Sequence, residues 1–175
     1  MPNNTDIIYN GQVNLQIKIG DKLINLDEHN EGTYYLKKVF AMAMCGVSIG
    51  SQHIPQYIDL MFSDPTATVV EWKSALKQQL SLTSKTYSPT TDNDSVNPSA
   101  SFTATLASSN LTMTIDEMSA NNYSLRIDLI TGFDSKGAQH TLATLPIAIS
   151  KLEKLSSGMQ AVITWTMRLL NTTEV

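Results

Sequence analysis

The stretch GQVNLQIKIGDKLINL, residues 11–26, decides the class of fold. Apolar and polar residues alternate along its first half, and the apolar ones are Val13, Leu15, Ile17 and Ile19. This two-residue period is that of a strand with one buried face. Gly20-Asp21 then supplies a tight turn in which glycine can take a positive φ, and residues 22–26 return as a second strand. The sequence therefore predicts a β-hairpin here.

Beyond a polar stretch at residues 27–32, the pattern changes to that of a helix. Apolar residues recur at the spacing of one helix face, at Leu36, Val39, Phe40, Ala43 and Met44. Thr33 can cap the start of this helix and Gly46 can end it. A helix of about three turns gains most of its stability from packing, so we expect it to lie on a sheet. Cys45, the only cysteine, falls in this apolar pattern, and we expect a small buried thiol there rather than a nucleophile or a metal ligand.

The middle of the chain combines a short strand, an ambiguous segment and a polar loop. Residues 57–62 are typical of a strand that ends before Asp64-Pro65. Residues 67–79 carry apolar side chains at a spacing that permits a helix, although the β-branched residues nearby also permit a strand, and we predict a helix. Residues 87–101 contain two prolines and almost nothing to bury, which predicts a long exposed loop or arm.

The second half of the chain alternates like a series of strands, at residues 102–106, 111–115, 123–129, 139–145 and 159–169. Pro146 is expected to end or edge the fourth of these, and Trp165 falls on the apolar face of the last one, where we expect it in the core. Many strands at short spacing, without alternating long helices, predict a mainly β (α+β) fold. We expect an antiparallel β-sandwich or barrel-like domain with one or two short helices packed on it. The length favours a single domain, 1–175.

Composition argues against two classes of partner. The chain has 12 Lys and Arg against 16 Asp and Glu, a net charge of -4. It therefore lacks the cationic footprint that neutralises phosphates, and we predict no nucleic-acid partner. No stretch approaches the ~18 apolar residues of a membrane span, and no basic and apolar leader stands at the start. We accordingly expect no membrane partner and synthesis in a reducing cytoplasm.

The sequence shows no catalytic or metal-binding pattern. His29, His53 and His140 lie far apart, and none stands with another His, Cys or carboxylate at a ligand spacing. The segment Gly46-Val-Ser-Ile-Gly50 has the letters of a nucleophile elbow, but it follows a predicted helix where the elbow must follow a strand. Glycine-rich phosphate-binding loops are absent. The prediction is a protein that is not an enzyme, with no cofactor, no metal and no small-molecule substrate.

The unusual polarity of the chain points to contacts with other proteins. Only 16% of the residues are charged, against roughly 25% in typical soluble domains, and Ser, Thr and Asn take their place. The last strand carries one internal charge, which would suit coverage by a neighbouring chain. The candidate interface residues are Tyr87, Thr90, Asp92, Asn93, Val96 and Pro98 of the arm, with Trp72, Arg168 and Leu170. An alternative is a small module that binds carbohydrate or a receptor protein, and it predicts that Tyr57, Trp72 and Tyr87 cluster on one surface.

Four motifs give the chain a further resemblance: HNEGT at residues 29–33, Cys45-Gly46, PQYIDL at residues 55–60 and ITWTMRLLN at residues 163–171. In this layout the chain resembles several small virion proteins of tailed bacteriophages. The resemblance implies a non-enzymatic component of the capsid, neck, tail or fibre-attachment region, located in the virion. Its implied partners are copies of itself, in point-group symmetry, and neighbouring virion proteins. Residues 63–100 have no counterpart in it, so the place in the particle stays open.

Overall fold

One eight-stranded antiparallel sheet, curled into a half-barrel, dominates the computed structural model, which describes residues 11–30, 33–64, 72, 76–88 and 99–169. The strands are β1 Gly11–Ile19, β2 Lys22–Asn30, β3 Pro55–Ser63, β4 Leu76–Ser88, β5 Ser99–Ala107, β6 Ser124–Thr131, β7 Thr141–Ile147 and β8 Gln160–Leu169. Their order across the sheet is β2-β1-β8-β5-β4-β3-β6-β7. The predicted mainly β class with short helices is confirmed, in the form of a half-barrel.

The predicted hairpin at residues 11–26 is confirmed as β1 and β2, and β2 extends to Asn30. Gly20 has a φ of 56° in the turn, a value that glycine adopts without steric cost. On its other side β1 pairs with β8 along its whole length, from Gly11 opposite Leu169 to Ile19 opposite Ala161. Because β8 also pairs with β5, it lies inside the sheet, and the expectation that a neighbouring chain covers this strand is wrong.

Two predictions for the middle of the chain need correction. Residues 76–79, expected to be helical, form the start of β4, and the rest of the predicted helix lies outside the described residues except for Trp72. The ends of the predicted arm at residues 87–101 belong to β4 and β5, which pair with each other, and residues 89–98 lie outside the described residues. Ser88 lies opposite Ser99, and Tyr87 lies opposite Ala100. The β-branched and small residues next to these positions favour paired strands over a loop.

Helix α1 spans Tyr34–Met44, as the apolar spacing predicts, and α2 spans Ile115–Ala120. The strand predicted at residues 111–115 is wrong, because residues 111–114 are not in a strand and α2 begins at Ile115. Thr114 accepts a hydrogen bond from the Glu117 backbone N–H, and the Glu117 carboxylate accepts one from the Thr114 N–H. This reciprocal cap satisfies two amides at the helix start and outweighs the apolar alternation of three residues.

The core fills the inner face of the half-barrel. The predicted core residue Trp165 is fully buried there, and the same core cluster contains Leu15, Ile17, Ile58, Leu60, Leu106, Ile127 and Ile163. Each such side chain stabilises the fold by about 1.5–3 kcal/mol relative to exposure. The edges of the sheet are β2 and β7, and Pro146 lies on the edge strand β7, as expected for a residue without a backbone donor. Within the described part of the chain, no helix is long and apolar enough to cross a membrane.

Candidate functional site

Helix α1 is attached to the sheet at its N-terminal end. The side-chain oxygen of Thr33 accepts a hydrogen bond from the Leu36 N–H and so caps the helix, as predicted. The same hydroxyl lies 2.7 Å from the carbonyl oxygen of Thr141 and 3.0 Å from that of Leu142, to which it donates. The Thr33 N–H also donates to the Leu142 carbonyl, at 3.2 Å. Thr33 therefore joins the start of α1 to the edge strand β7.

Most of the apolar side of α1 is not buried. Leu36 is the buried residue of the helix, whereas Tyr34 is 85% exposed and Met44 is 82% exposed. Cys45, which caps the C-terminal end, is exposed as well. The expectation of a buried thiol is therefore wrong, because α1 is attached at its other end and Ala43, Met44 and Cys45 at its C-terminal end are exposed. The helix spacing was predicted correctly, but the degree of burial was not.

An apolar groove runs between α1 and one end of the sheet. Its volume is about 240 Å³. The lining comes from α1 and from the ends of β3, β4, β5, β7 and β8, and consists of Leu36, Val39, Phe40, His53, Ile54, Pro55, Tyr87, Ser99, Ala100, Phe102, Leu142 and Met167. Tyr87 stands at its rim and is 63% exposed. We call the exposed residues Tyr34, Phe40 and Met44 of α1, together with Tyr87 at the rim of the groove, the α1 surface.

Beside this surface, one tyrosine brings two histidines together. The Tyr35 hydroxyl hydrogen-bonds His53 Nδ1 at 2.7 Å, and its ring stacks on His140 with a centroid distance of 4.0 Å. His140 Nε2 in turn lies 3.6 Å from Asp134 Oδ2. Burial, followed by the nearby Asp134 charge, raises the pKa of Tyr35. The backbone N–H groups of Ala138 and Lys136 bond the Asp134 carboxylate and lower its pKa.

The geometry of this Tyr35 cluster favours attachment over catalysis. His140 offers Tyr35 its ring face and not a nitrogen, so no proton path connects Asp134 to the phenol through it. Among the described residues, no three His, Cys, Asp or Glu side chains are grouped to hold a metal ion. Ser48, of the Gly-x-Ser-x-Gly letters, is exposed after α1, in the wrong context for a nucleophile elbow. Tyr35 thus fastens α1 to the loop before β3 and to the turn before β7.

A second polar group lies on the outer face of the sheet. Asp59 of β3 and Asp128 of β6 are directly opposite each other, with exposed fractions of 2% and 3%. Each carboxylate has its own cation: Lys77 Nζ lies 2.6 Å from Asp59, and the Arg126 guanidinium lies 2.5 Å from Asp128. Burial raises the pKa of Asp128, and the bond to Arg126 partly opposes this effect. Each buried carboxylate is neutralised by its own cation, and the two pairs together join β4, β3 and β6. We therefore assign this group a structural role.

The structure distributes the candidate interface residues over separate places. Tyr87 lines the groove on the inner face, whereas Trp72 covers Arg126 on the outer face, with 4.7 Å from the guanidinium carbon to the ring centre. Tyr57, on the outer face as well, contacts Phe133. The three aromatic residues expected by the alternative binding module therefore do not share one surface. Arg168 is exposed on the internal strand β8, and the remaining candidates, Thr90, Asp92, Asn93, Val96, Pro98 and Leu170, lie outside the described residues.

Sequence reasoning missed the Tyr35 cluster and the α1 surface. Tyr35 and His140 are more than a hundred positions apart, and no motif connects them. The apolar spacing of α1 was visible, but a buried and an exposed apolar face have the same spacing. No protein-family model, curated protein or solved structure matches the chain. The resemblance to phage virion proteins therefore stays a prediction based on its own motifs.

Proposed function

We propose that this chain is a non-enzymatic assembly protein that binds other protein chains through the α1 surface. The observation that carries the proposal is the exposure of Tyr34 and Met44, together with Phe40 and Tyr87, around an apolar groove. Aromatic residues and methionine are enriched in protein interfaces, and contiguous exposed apolar patches mark such interfaces on soluble proteins.

The dimensions of the groove support a protein partner over a small molecule. Ligand pockets usually have volumes of about 300–1,000 Å³ and bury most of the ligand. The groove, at about 240 Å³, is smaller than this range. Lys37 and Lys38 are exposed on the same helix, so the partner that fits best presents apolar side chains flanked by carboxylates.

Within this proposal, the chain is a structural component of a tailed-bacteriophage virion, present in several copies. The motifs that resemble phage proteins support this part, and three of them fall at the end of α1, in β3 and in β8. Copies of one chain usually assemble with closed symmetry, in which the same surface is used by every copy. The partners are then other copies of this chain and neighbouring virion proteins.

The assembly proposal is tested by the molar mass of the purified chain as a function of concentration, measured by sedimentation velocity. We expect an oligomer, and we expect Met44→Asp to weaken it by at least about tenfold, since a charge would enter an apolar interface. Val162→Asp is the matched control, because Val162 is exposed on β8, away from α1. A chain that is monomeric at every concentration, or an equal effect of both variants, contradicts the assembly proposal.

The virion assignment needs a separate test. Particles released by the cells that produce the chain are purified and analysed by quantitative peptide mass spectrometry. We expect the chain in many copies per particle, at a constant ratio to the major capsid protein. An oligomeric chain that is absent from such particles would leave the assembly function in place and refute the virion assignment.

A further inference from the structure

The groove beside α1 opens at the end of the sheet where the chain enters β1. Gly11, the first residue of β1, lies opposite Leu169 of β8. The preceding residue of β8, Arg168, lies opposite Ser99, which is part of the groove lining. The neighbouring strand β4 contributes Tyr87 to the same lining. The start of β1 is therefore two strands away from the groove wall formed by β5 and three strands away from the wall formed by β4.

The chain before Gly11 has the sequence MPNNTDIIYN, and these ten residues lie outside the described residues. Ile7, Ile8 and Tyr9 form an apolar run within this otherwise mostly polar stretch. Strands are spaced about 4.8 Å apart, so β5 is about 10 Å and β4 about 14 Å from β1. An extended chain covers about 3.3 Å per residue. Three or four residues of extended chain before Gly11 span about 10–13 Å, which is enough to reach the β5 wall of the groove, and these two positions hold Ile8 and Ile7 of the apolar run.

The volume and lining of the groove match side chains of this kind. At about 240 Å³ it exceeds the ~150 Å³ of an apolar cavity that accepts a benzene ring. Its lining is apolar apart from His53 and Ser99. One or two aliphatic side chains would fill such a space, whereas a polar segment would lose its hydrogen bonds to water.

We propose that residues 7–9 lie in the groove of their own chain, with Ile8 between Phe40 and the sheet. A segment attached two to four residues away has a very high effective concentration at the groove, which favours it over the same segment of another copy. This inference goes beyond the proposed function and does not depend on it. Tyr34 and Met44 do not line the groove, so they stay exposed when residues 7–9 fill it.

The proposal is tested by a cysteine cross-link in the full chain. Ile8→Cys and Phe40→Cys are combined with Cys45→Ser, which removes the native thiol, and the protein is oxidised at low concentration. We expect a disulfide within one chain, detected by electrophoresis without reductant and by the loss of two hydrogen atoms in the intact mass. The control pairs Ile8→Cys with Val162→Cys, on the outer face of β8, and should remain reduced.

Three results would overturn the proposal. A predominance of covalent dimers would assign the groove to the segment of a neighbouring copy. An equal yield with Val162→Cys would indicate an unspecific collision, and the absence of a cross-link in a folded protein would leave the groove to another ligand. The second and third results do not depend on whether the chain assembles.

Hydrogen exchange provides a second measurement without new cysteines. We expect Ile8→Asp to raise amide exchange in α1, between Leu36 and Phe40, by about tenfold or more, because the helix loses a packing partner. Asn4→Asp introduces the same charge in the same segment and should leave α1 unchanged. Exchange in β6 serves as the reference for an intact fold. Equal exchange in both variants refutes the placement of Ile8.

Discussion

Tyr35 and His140 stack with their ring planes 9° from parallel, and this contact joins α1 to the turn that precedes β7. Since α1 is otherwise attached mainly at Thr33, the orientation of the α1 surface depends on these two points. The first two predictions test each of them.

Tyr35→Phe removes the hydroxyl that bonds His53 but retains the ring stack. We expect the free energy of unfolding to fall by about 1 kcal/mol, the usual net value of one hydrogen bond. Tyr35→Ala loses the stack as well and should cost more. Urea denaturation measures both, with Tyr34→Ala as the control, because Tyr34 on the same helix is exposed and its loss should change stability by less than about 0.5 kcal/mol. Equal effects at the two positions would contradict the anchoring role.

Thr33→Val retains the shape of the side chain and removes the oxygen that caps α1 and bonds β7. We expect a loss of about 1–2 kcal/mol in the free energy of unfolding, at the upper end of the range for helix caps. Thr33→Ser retains the oxygen and should stay near the native value. Circular dichroism during urea titration measures the change. If the serine variant is destabilised and the valine variant is not, the methyl group and not the hydroxyl is responsible.

For Asp128 we predict a contribution to the free energy of unfolding that increases as the pH falls. Burial raises its pKa above the ordinary 3.8, so the folded chain binds this proton more tightly than the unfolded chain. Relative to Asp128→Asn, which cannot titrate, the native chain should gain stability as the pH falls through the raised pKa. The gain should be complete below the ordinary pKa. Urea titrations of both proteins over the acidic range measure it, and a difference that is independent of pH would show that the pKa is not raised.

For Asp134 we predict the opposite pH dependence, a contribution to stability that is lost in acid. Its bonds to backbone N–H groups lower its pKa, so its contribution to stability is present above the ordinary pKa of 3.8 and is lost as the pH falls through the lowered value. The same titrations on Asp134→Asn should show the native chain losing its advantage in acid. A constant advantage would indicate that the turn depends on shape and not on the charge of Asp134.

The sequence was sufficient for features that depend on nearby residues. The alternation at residues 11–26 correctly predicts the hairpin, and the apolar spacing from Leu36 to Met44 correctly predicts α1. Both patterns can be recognised because they repeat within one element. At residues 111–115 two local signals conflict. Thr114 and Glu117 have the spacing of a capping box, which outweighs the short apolar alternation.

Features that depend on distant residues could not be predicted in this way. Whether β8 lies at an edge or inside the sheet is decided by β1 and β5, and its own sequence carries the same alternation in either position. The exposure of Cys45 and Met44 depends on where α1 is attached, and Thr33 makes that attachment to residues 108 and 109 positions away. The opposed Asp59 and Asp128 likewise depend on the register of two strands that are far apart in the chain.

The internal position of β8 also affects how the chain can fold during translation. The hairpin of β1 and β2 is connected to the other five strands by hydrogen bonds to β8, so the continuous sheet forms only after residue 169 has left the ribosome. Until then β1 and β5 are both open edges, and open edges pair readily with other polypeptides. A nascent chain of this protein therefore has the greatest need of a chaperone in the interval before β8 leaves the ribosome.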